Sequence, residues 1–308
     1  MKELTTISLP IVPPAKAFYK SPEVLQLRTS DGSTVSCRVW KGEIGQCVVL
    51  YLHGIEGHSQ WFENTASVLN SNGITVYAVD RRGSGLNSRD RGHMPSYTGF
   101  LDDVEIWLRH VFHEHKGHPV VLMANCWSAK AAAIIASGRH KGEEGPLSLL
   151  SGVVMTCPAI YTKVDFDTKT KLRIAYHALR QDRLSLPIPV TTEMLTDNPV
   201  FVGYLKNDPL RLSEATAQFY METFKMGKLA ESAAKHIDLP LLVLQAGCDR
   251  IVDIPALEKW FSQCKTTQKD LRIFPDAVHS LDFDSIWFSD YTNVLSQWLK
   301  ARSPVISR

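Results

Sequence analysis

No stretch of the 308-residue chain approaches the roughly 20 consecutive apolar residues that a bilayer-spanning helix needs, so no integral membrane contact is expected. The first residues lack the apolar h-region of a secretory signal, and Pro10, Pro13 and Pro14 break any helix there; a cytoplasmic location is expected. Cysteine is sparse. Cys37, Cys47, Cys126, Cys157, Cys248 and Cys264 are too scattered for a disulfide framework and form no CxxC pair that would suggest zinc. Charge of one sign is also lacking: 34 Lys+Arg against 32 Asp+Glu leave a formal net charge of +2, which gives no general reason to expect an anionic membrane as partner, and no nucleic acid is expected. Internal repeats and low-complexity segments are absent. What remains is an ordinary globular composition, 44% hydrophobic and 21% charged, long enough for one large domain or two modest ones.

The pattern of apolar runs narrows the fold. After an irregular, Pro-containing arm (1–22), Val24–Thr29 and Val35–Lys41 are β-rich runs split by Ser30-Asp31-Gly32-Ser33, a hairpin signal. Runs at 47–54, 74–80, 119–126, 150–158, 240–247 and 269–275 read as strands buried on both faces, as in a parallel sheet covered by helices. Helix patterns at about 60–72, 99–115, 127–138, 255–263 and 286–301 alternate with them, which predicts a doubly wound α/β sheet. Between 159 and 235 the rhythm fails: there are short amphipathic pieces, with breakers at Pro187, Pro189, Pro199 and Pro209. This interval reads as a helical cap inserted into a core formed by 23–158 and 236–308, at the end of the sheet where ligands bind.

The segment Ala124-Asn125-Cys126-Trp127-Ser128 carries most of the chemical information. A buried strand runs into a small-residue helix with one nucleophilic side chain at the junction, which is the form of a nucleophile elbow, G-x-S-x-G. Small residues fill both glycine places and cysteine fills the serine place. Shifting the register to make Ser128 the nucleophile would put Lys130 at a glycine place, so Cys126 is the stronger candidate. A lone cysteine is most often only a small buried hydrophobe, and the reading therefore needs partners. They are present. Asp249 follows the run 240–247 and His279 follows 269–275, giving the order nucleophile, acid, histidine on one rim of the sheet. His279 would take the proton of Cys126 while Asp249 holds the ring in the correct tautomer. Asp253 lies further from its strand end; Asp276 and Asp282 flank the histidine and are expected in solvent or tuning its loop. The run 47–54 ends in His53-Gly54-Ile55-Glu56-Gly57-His58-Ser59, a site for one oxyanion-hole amide, so the backbone N–H groups of Ile55 and Trp127 are the expected donors. His53, Trp61, Phe62 and Asn125 are candidates for substrate binding, although His53 could instead bond the loop backbone and the two aromatics could be core.

With these residues in place the chain resembles an α/β-hydrolase of the monoacylglycerol lipase, lysophospholipase and serine aminopeptidase (S33-like) type. The 53–59 segment is similar to that family's HGxxEHS-like loop, and Asp80-Arg81-Arg82-Gly83-Ser84-Gly85-Leu86-Asn87-Ser88 to its DxRGxGxS segment. Asn198-Pro199 and Asp208-Pro209-Leu210 resemble parts of its cap, and the likeness covers roughly 24–301. It implies a mobile cap over an acyl tunnel and cleavage of carboxylic esters of lipids and smaller alcohols. Cysteine replaces the family's nucleophilic serine, as it does in dienelactone hydrolases, polyhydroxyalkanoate synthases and certain thioesterases. The acyl-enzyme would then be a thioester, which reacts readily with amines and thiols. The expected activity is hydrolysis of a carboxylic ester or thioester of a lipid-like acyl group, or of one carried by CoA or acyl carrier protein. The alternatives are an acyltransferase serving an amine or alcohol, and a non-catalytic small-molecule binding protein on a hydrolase fold. No cofactor or metal is expected, since the triad supplies the chemistry.

Three weaker signals are discounted. Gly83-Ser84-Gly85 lacks the third glycine and the helix of a dinucleotide site. His110, His113, His115 and His118 read as a solvated helix end. Lys163, Lys169, Lys171, Arg173, Arg180 and Arg183 outnumber Asp165, Asp167 and Asp182, and read as a solvated face that could also steer an anionic carrier.

Overall fold

In the computed structural model, which describes residues 21–29, 31–42, 46–142 and 145–302, the chain enters its sheet through an antiparallel hairpin, β1 (Glu23–Arg28) and β2 (Thr34–Trp40). Nearly all of the expected N-terminal arm lies outside the described residues. At the hairpin tip Gly32 takes φ +80°, and the Asp31 carboxylate accepts from the Thr29 hydroxyl (2.6 Å) and the Ser33 amide (3.0 Å). Next come β3 (Val48–Leu52), α1 (Glu63–Ser71), β4 (Thr75–Val79), α2 (Tyr97–Glu114), β5 (Val120–Asn125), α3 (Ala129–Ala136) and β6 (Gly152–Thr156). After an insertion the core resumes with β9 (Leu241–Ala246), α8 (Ile254–Ser262), β10 (Lys269–Phe274) and α9 (Phe288–Lys300).

The strands form one eight-stranded sheet in the order β1-β2-β4-β3-β5-β6-β9-β10, parallel from β4 to β10. β3, β4, β6 and β9 are buried at every position, because helices cover both faces. β10 departs from the expectation. Its burial alternates, with Asp270 and Arg272 exposed, since it is an edge strand with one open face. Charges on that face also deter edge pairing.

From β3 the chain moves outward to β4, then crosses back to β5 on the other side of β3. This reversal opens a crevice at the carboxyl ends of β3 and β5, the place where open α/β sheets bind ligands.

The interval 159–235 holds α4 (Thr168–Leu179), β7 (Ser185–Pro187), α5 (Thr192–Leu195), α6 (Pro199–Asn207), β8 (Glu214–Thr216) and α7 (Ala217–Glu231). The sequence reading expected helices alone here. The structure adds a two-stranded antiparallel ribbon, β7–β8, whose three-residue strands are too short to display a period-two pattern. α7 packs against α3 and α4, so the insertion sits directly over the helix that follows β5.

Candidate active site

The β5–α3 junction is a sharp turn built from small residues. Cys126 takes φ +51°, a left-handed conformation that costs a side-chain-bearing residue on the order of 1–3 kcal/mol and persists only where the surroundings impose it. Here they do. The Ser128 hydroxyl donates to the His53 carbonyl (2.5 Å), and the Cys126 carbonyl accepts from the Ala159 amide (3.0 Å). Gly54 lies against the turn: a Cβ there would sit 3.3 Å from the Cys126 Cβ and 3.8 Å from its Sγ. The end of β3 and the sulfur of Cys126 thus share one narrow space.

His279 and Asp249 are both buried, and His279 Nδ1 donates to Asp249 Oδ2 at 2.8 Å. The same oxygen accepts from Gln245 Nε2 (2.9 Å), and Oδ1 accepts from the amides of Ile251 (2.8 Å) and Val252 (3.0 Å). Burial alone would raise the carboxyl, but the His279 charge and these amides hold it below the ordinary carboxylate range. Burial likewise opposes a charged imidazole, yet Asp249 and the Cys126 sulfur outweigh it and push His279 well above its usual value. His279 Nε2 makes no other hydrogen bond among the described residues, and the Cys126 side chain is near enough to act on the ring. Asp253 is occupied elsewhere, its side chain accepting from the Ala256 amide as the N-cap of α8 (3.2 Å). Asp276 is exposed as expected. Asp282 is not: it is buried under Thr65 and Tyr291, whose hydroxyls donate to it at 2.6 and 3.3 Å, and burial raises it to about 6.

Sequence reasoning passed over Cys157. Its backbone φ is +42° at the end of β6, and its sulfur, the Asp249 carboxylate and a His279 nitrogen lie within 4.8 Å of one another. Burial and the Asp249 charge raise that thiol well above its ordinary value, so it packs beside the pair as a neutral group.

The loop after β3 is fixed from below by Arg81 and from above by the insertion. Arg81 is buried and donates to the carbonyls of Gly54 (3.1 Å) and Ile55 (2.6 Å); its guanidinium lies 5.0 Å from the Trp127 ring centre. One buried cation therefore touches both residues expected to supply oxyanion-hole amides. On the other side Arg211 Nη2 pairs with Glu56 at 2.8 Å, and Asp208 Oδ2 accepts from Trp61 Nε1 (2.6 Å) and meets His58 Nε2 (2.7 Å). No sequence pattern announces this clamp, because its partners stand about 150 residues apart.

A cavity of about 660 Å³ opens between the elbow and the insertion, lined by Ile55, Cys126 and Trp127 at one end. Four residues expected to bind substrate are not on its wall. His53 is a loop bracket: Nδ1 donates to the Gly54 carbonyl (2.8 Å) and Nε2 accepts from the Arg81 amide (3.2 Å), while burial and Arg81 hold its pKa down to about 3. Phe62 is fully buried and stacks on Tyr51 at 3.7 Å. Trp61 faces Asp208 and the edge of Phe283. Asn125 turns the other way and donates to the Tyr51 hydroxyl (3.3 Å), as alternation along β5 requires of the residue before Cys126. At the end of α2, His115 bonds the Tyr77 hydroxyl (3.0 Å), and its ring centre lies 6.3 Å from that of His118. Of the charges on the first part of the insertion, Lys171 pairs with Asp165, Arg183 with Asp90 and His177 with Asp182.

A family model described as serine aminopeptidase, S33, matches residues 45–285. The phospholipase YtpA of Bacillus subtilis (strain 168) is 23% identical over 243 residues, covering 79% of this chain and 91% of that protein. Human monoglyceride lipase is 25% identical over 257 residues, covering 83% and 82%. The solved structure of a soluble variant of the Saccharomyces cerevisiae monoglyceride lipase, in complex with a substrate analog, superposes with a TM-score of 0.82 at 20% identity, covering 96% of this chain and 100% of that one. The shared architecture is the α/β-hydrolase fold. None of the described helices is long and apolar enough to cross a membrane.

Proposed function

The chain belongs to the serine aminopeptidase S33 family, and from that premise we propose that it is an acyl-transfer enzyme in which cysteine has taken the place of serine. The reading rests on one observation: the residue in the left-handed conformation at the turn after β5 is Cys126, and the His279–Asp249 pair stands beside it, with the Cys126 side chain acting on His279. Cys126 Sγ attacks the acyl carbonyl carbon as His279 Nε2 takes the thiol proton. The developing oxyanion accepts from the Ile55 and Trp127 amides, which Arg81 holds in place from behind. Collapse breaks the bond to the leaving oxygen or sulfur, which receives the proton from His279. The thioester on Cys126 is then attacked by water, whose proton passes to His279 and on to the departing thiol, and the acid is released. Asp249 orients the imidazole and stabilises its charged form throughout. The curated relatives bear the names monoglyceride lipase and phospholipase, and the cavity beside Cys126 is mostly apolar, so a carboxylic ester or thioester of a lipid-like acyl group is the substrate class.

The test is a ladder of oxyesters and thioesters with wild type, Cys126→Ser and Cys126→Ala, following alcohol or thiol release and the intact mass. A mass adduct on Cys126 that turns over in water is expected, with activity lost in Cys126→Ala. An adduct that persists until an amine or alcohol is supplied would make the protein a transferase. No adduct with any donor, and an alanine variant equal to wild type, would overturn the reading and leave a binding protein.

A further inference from the structure

Lys130 stands one helical turn beyond Cys126, on α3, and is only 7% exposed. Its stem is packed between helices, since a Cβ on Gly227 of α7 would meet its Cε at 3.5 Å. Its ammonium donates to the Ala159 carbonyl, and Lys130 and Ala159 both line the cavity that holds Cys126. Two other lysines reach that wall, and each has a carboxylate: Lys171 pairs with Asp165, and Lys228 with Glu231 at 2.9 Å. Lys130 has none within ion-pair distance among the described residues, although the cavity wall carries Asp165, Glu231 and Asp253 among apolar residues such as Ile160, Ile174, Ile188 and Val190. Burial draws its pKa down to about 8, against the opposing influence of Cys126 and Glu231. A buried ammonium in an apolar wall is costly unless an anion meets it.

We propose that Lys130 is an anion-recognition residue, so that the substrate carries, besides its scissile carbonyl, a carboxylate or phosphate that pairs with this ammonium inside the cavity. This rests on the reading of Cys126 as nucleophile and adds the substrate's charge to it. The anion belongs either to the far end of the acyl group or to the leaving group, and matched pairs separate the two. Wild type and Lys130→Met are assayed on phenyl thioesters of adipic acid, as free ω-carboxylate and as ω-methyl ester, and on one neutral acyl chain esterified to glycerol or to glycerol phosphate.

In one of the pairs wild type should prefer the anionic member by at least roughly tenfold in kcat/KM, the size of one charge-assisted contact in a dry site, and Lys130→Met should bring that ratio close to one. The proposal is overturned if wild type shows no preference in either pair, or if Lys130→Met loses the same factor on charged and neutral members, which would mark a structural or thiolate-supporting lysine. Should Lys130→Met not fold, the wild-type ratios and Lys130→Gln decide alone. Calorimetric titration of wild type with adipate and with glycerol phosphate needs no turnover. Anion binding that Lys130→Met or Lys130→Gln abolishes, with no acylation of Cys126 by any donor, would retain the anion site and discard the nucleophile; acylation by neutral donors with neither binding nor preference would do the reverse.

Discussion

Gly54 carries no side chain because the space beside it belongs to Cys126. A methyl group there would press on the Cys126 Cβ at 3.3 Å, so Gly54→Ala must shift either the turn or the loop by a few tenths of an ångström. Since small misplacements of a reacting group are costly, kcat should fall by roughly tenfold to a hundredfold while the circular dichroism spectrum is retained. An unchanged rate would mean that the loop after β3 has no part in positioning. The charge of His279 offers a second check. It is raised by two neighbours against burial, so Cys126→Ala should lower its titration midpoint by NMR and Asp249→Asn should lower it as well. A histidine raised on folding contributes stability that is fully present below its ordinary value of 6.5 and fades as pH climbs through the folded value. Wild type should therefore exceed Asp249→Asn in stability most at acidic pH, with the gap closing upward. A gap that widened with pH would contradict the assigned charge states.

Among the elements, the segment that joins β3 to α1 and the segment 208–212 act as one clamp. Glu56 is buried, and burial raises its pKa to about 7 against the pull of Arg211. Removing Arg211 strands a buried carboxylate, a loss of about 3–5 kcal/mol when the group is charged. The sign follows from the shift. A carboxyl raised above 4.5 loses stability as pH rises, and without Arg211 it is raised further, so the loss extends over a wider span. Arg211→Met should be clearly less stable than wild type at pH 8 and much closer to it at pH 5, in urea melts followed by Trp fluorescence. An equal deficit at both pH values would assign Arg211 a packing role alone. The pairing in this clamp was not legible in advance: Glu56 and Asp208 each belonged to a separate motif and Arg211 to none, because pairing across some 155 positions leaves no local trace. The elbow was legible, since strand, turn and small-residue helix are contiguous in sequence.

At the scale of the whole molecule, the sheet's centre and edges differ in what they tolerate. Leu244 lies in the middle of β9 with no exposure, and truncation to alanine leaves a cavity that should cost about 2–5 kcal/mol. Arg272→Ala, on the open face of edge strand β10, should change stability by less than about 0.5 kcal/mol. Chemical denaturation measures both, and similar losses would mean that β10 is covered by something on its outer face. The apolar run at 269–275 resembled the others in sequence because Leu271 and Phe274 still pack on the core. Only the strand order reveals that β10 has a neighbour on one side.

By itself the sequence determined the α/β architecture, the strand ends at which chemistry is possible and the identity of Cys126, Asp249 and His279 as candidates, because each of these follows from local periodicity or from a residue's distance along the chain from a strand end. The tertiary structure alone decided which acid meets the histidine. Asp249 and Asp253 are four residues apart, and the choice turns on Asp253 capping α8. It also placed Phe62, Trp61, His53 and Asn125 off the cavity wall and Lys130 on it as a buried cation. Side-chain direction at a turn, and the company a charge keeps, depend on residues far away in sequence; until the chain closes on itself they have no determined value.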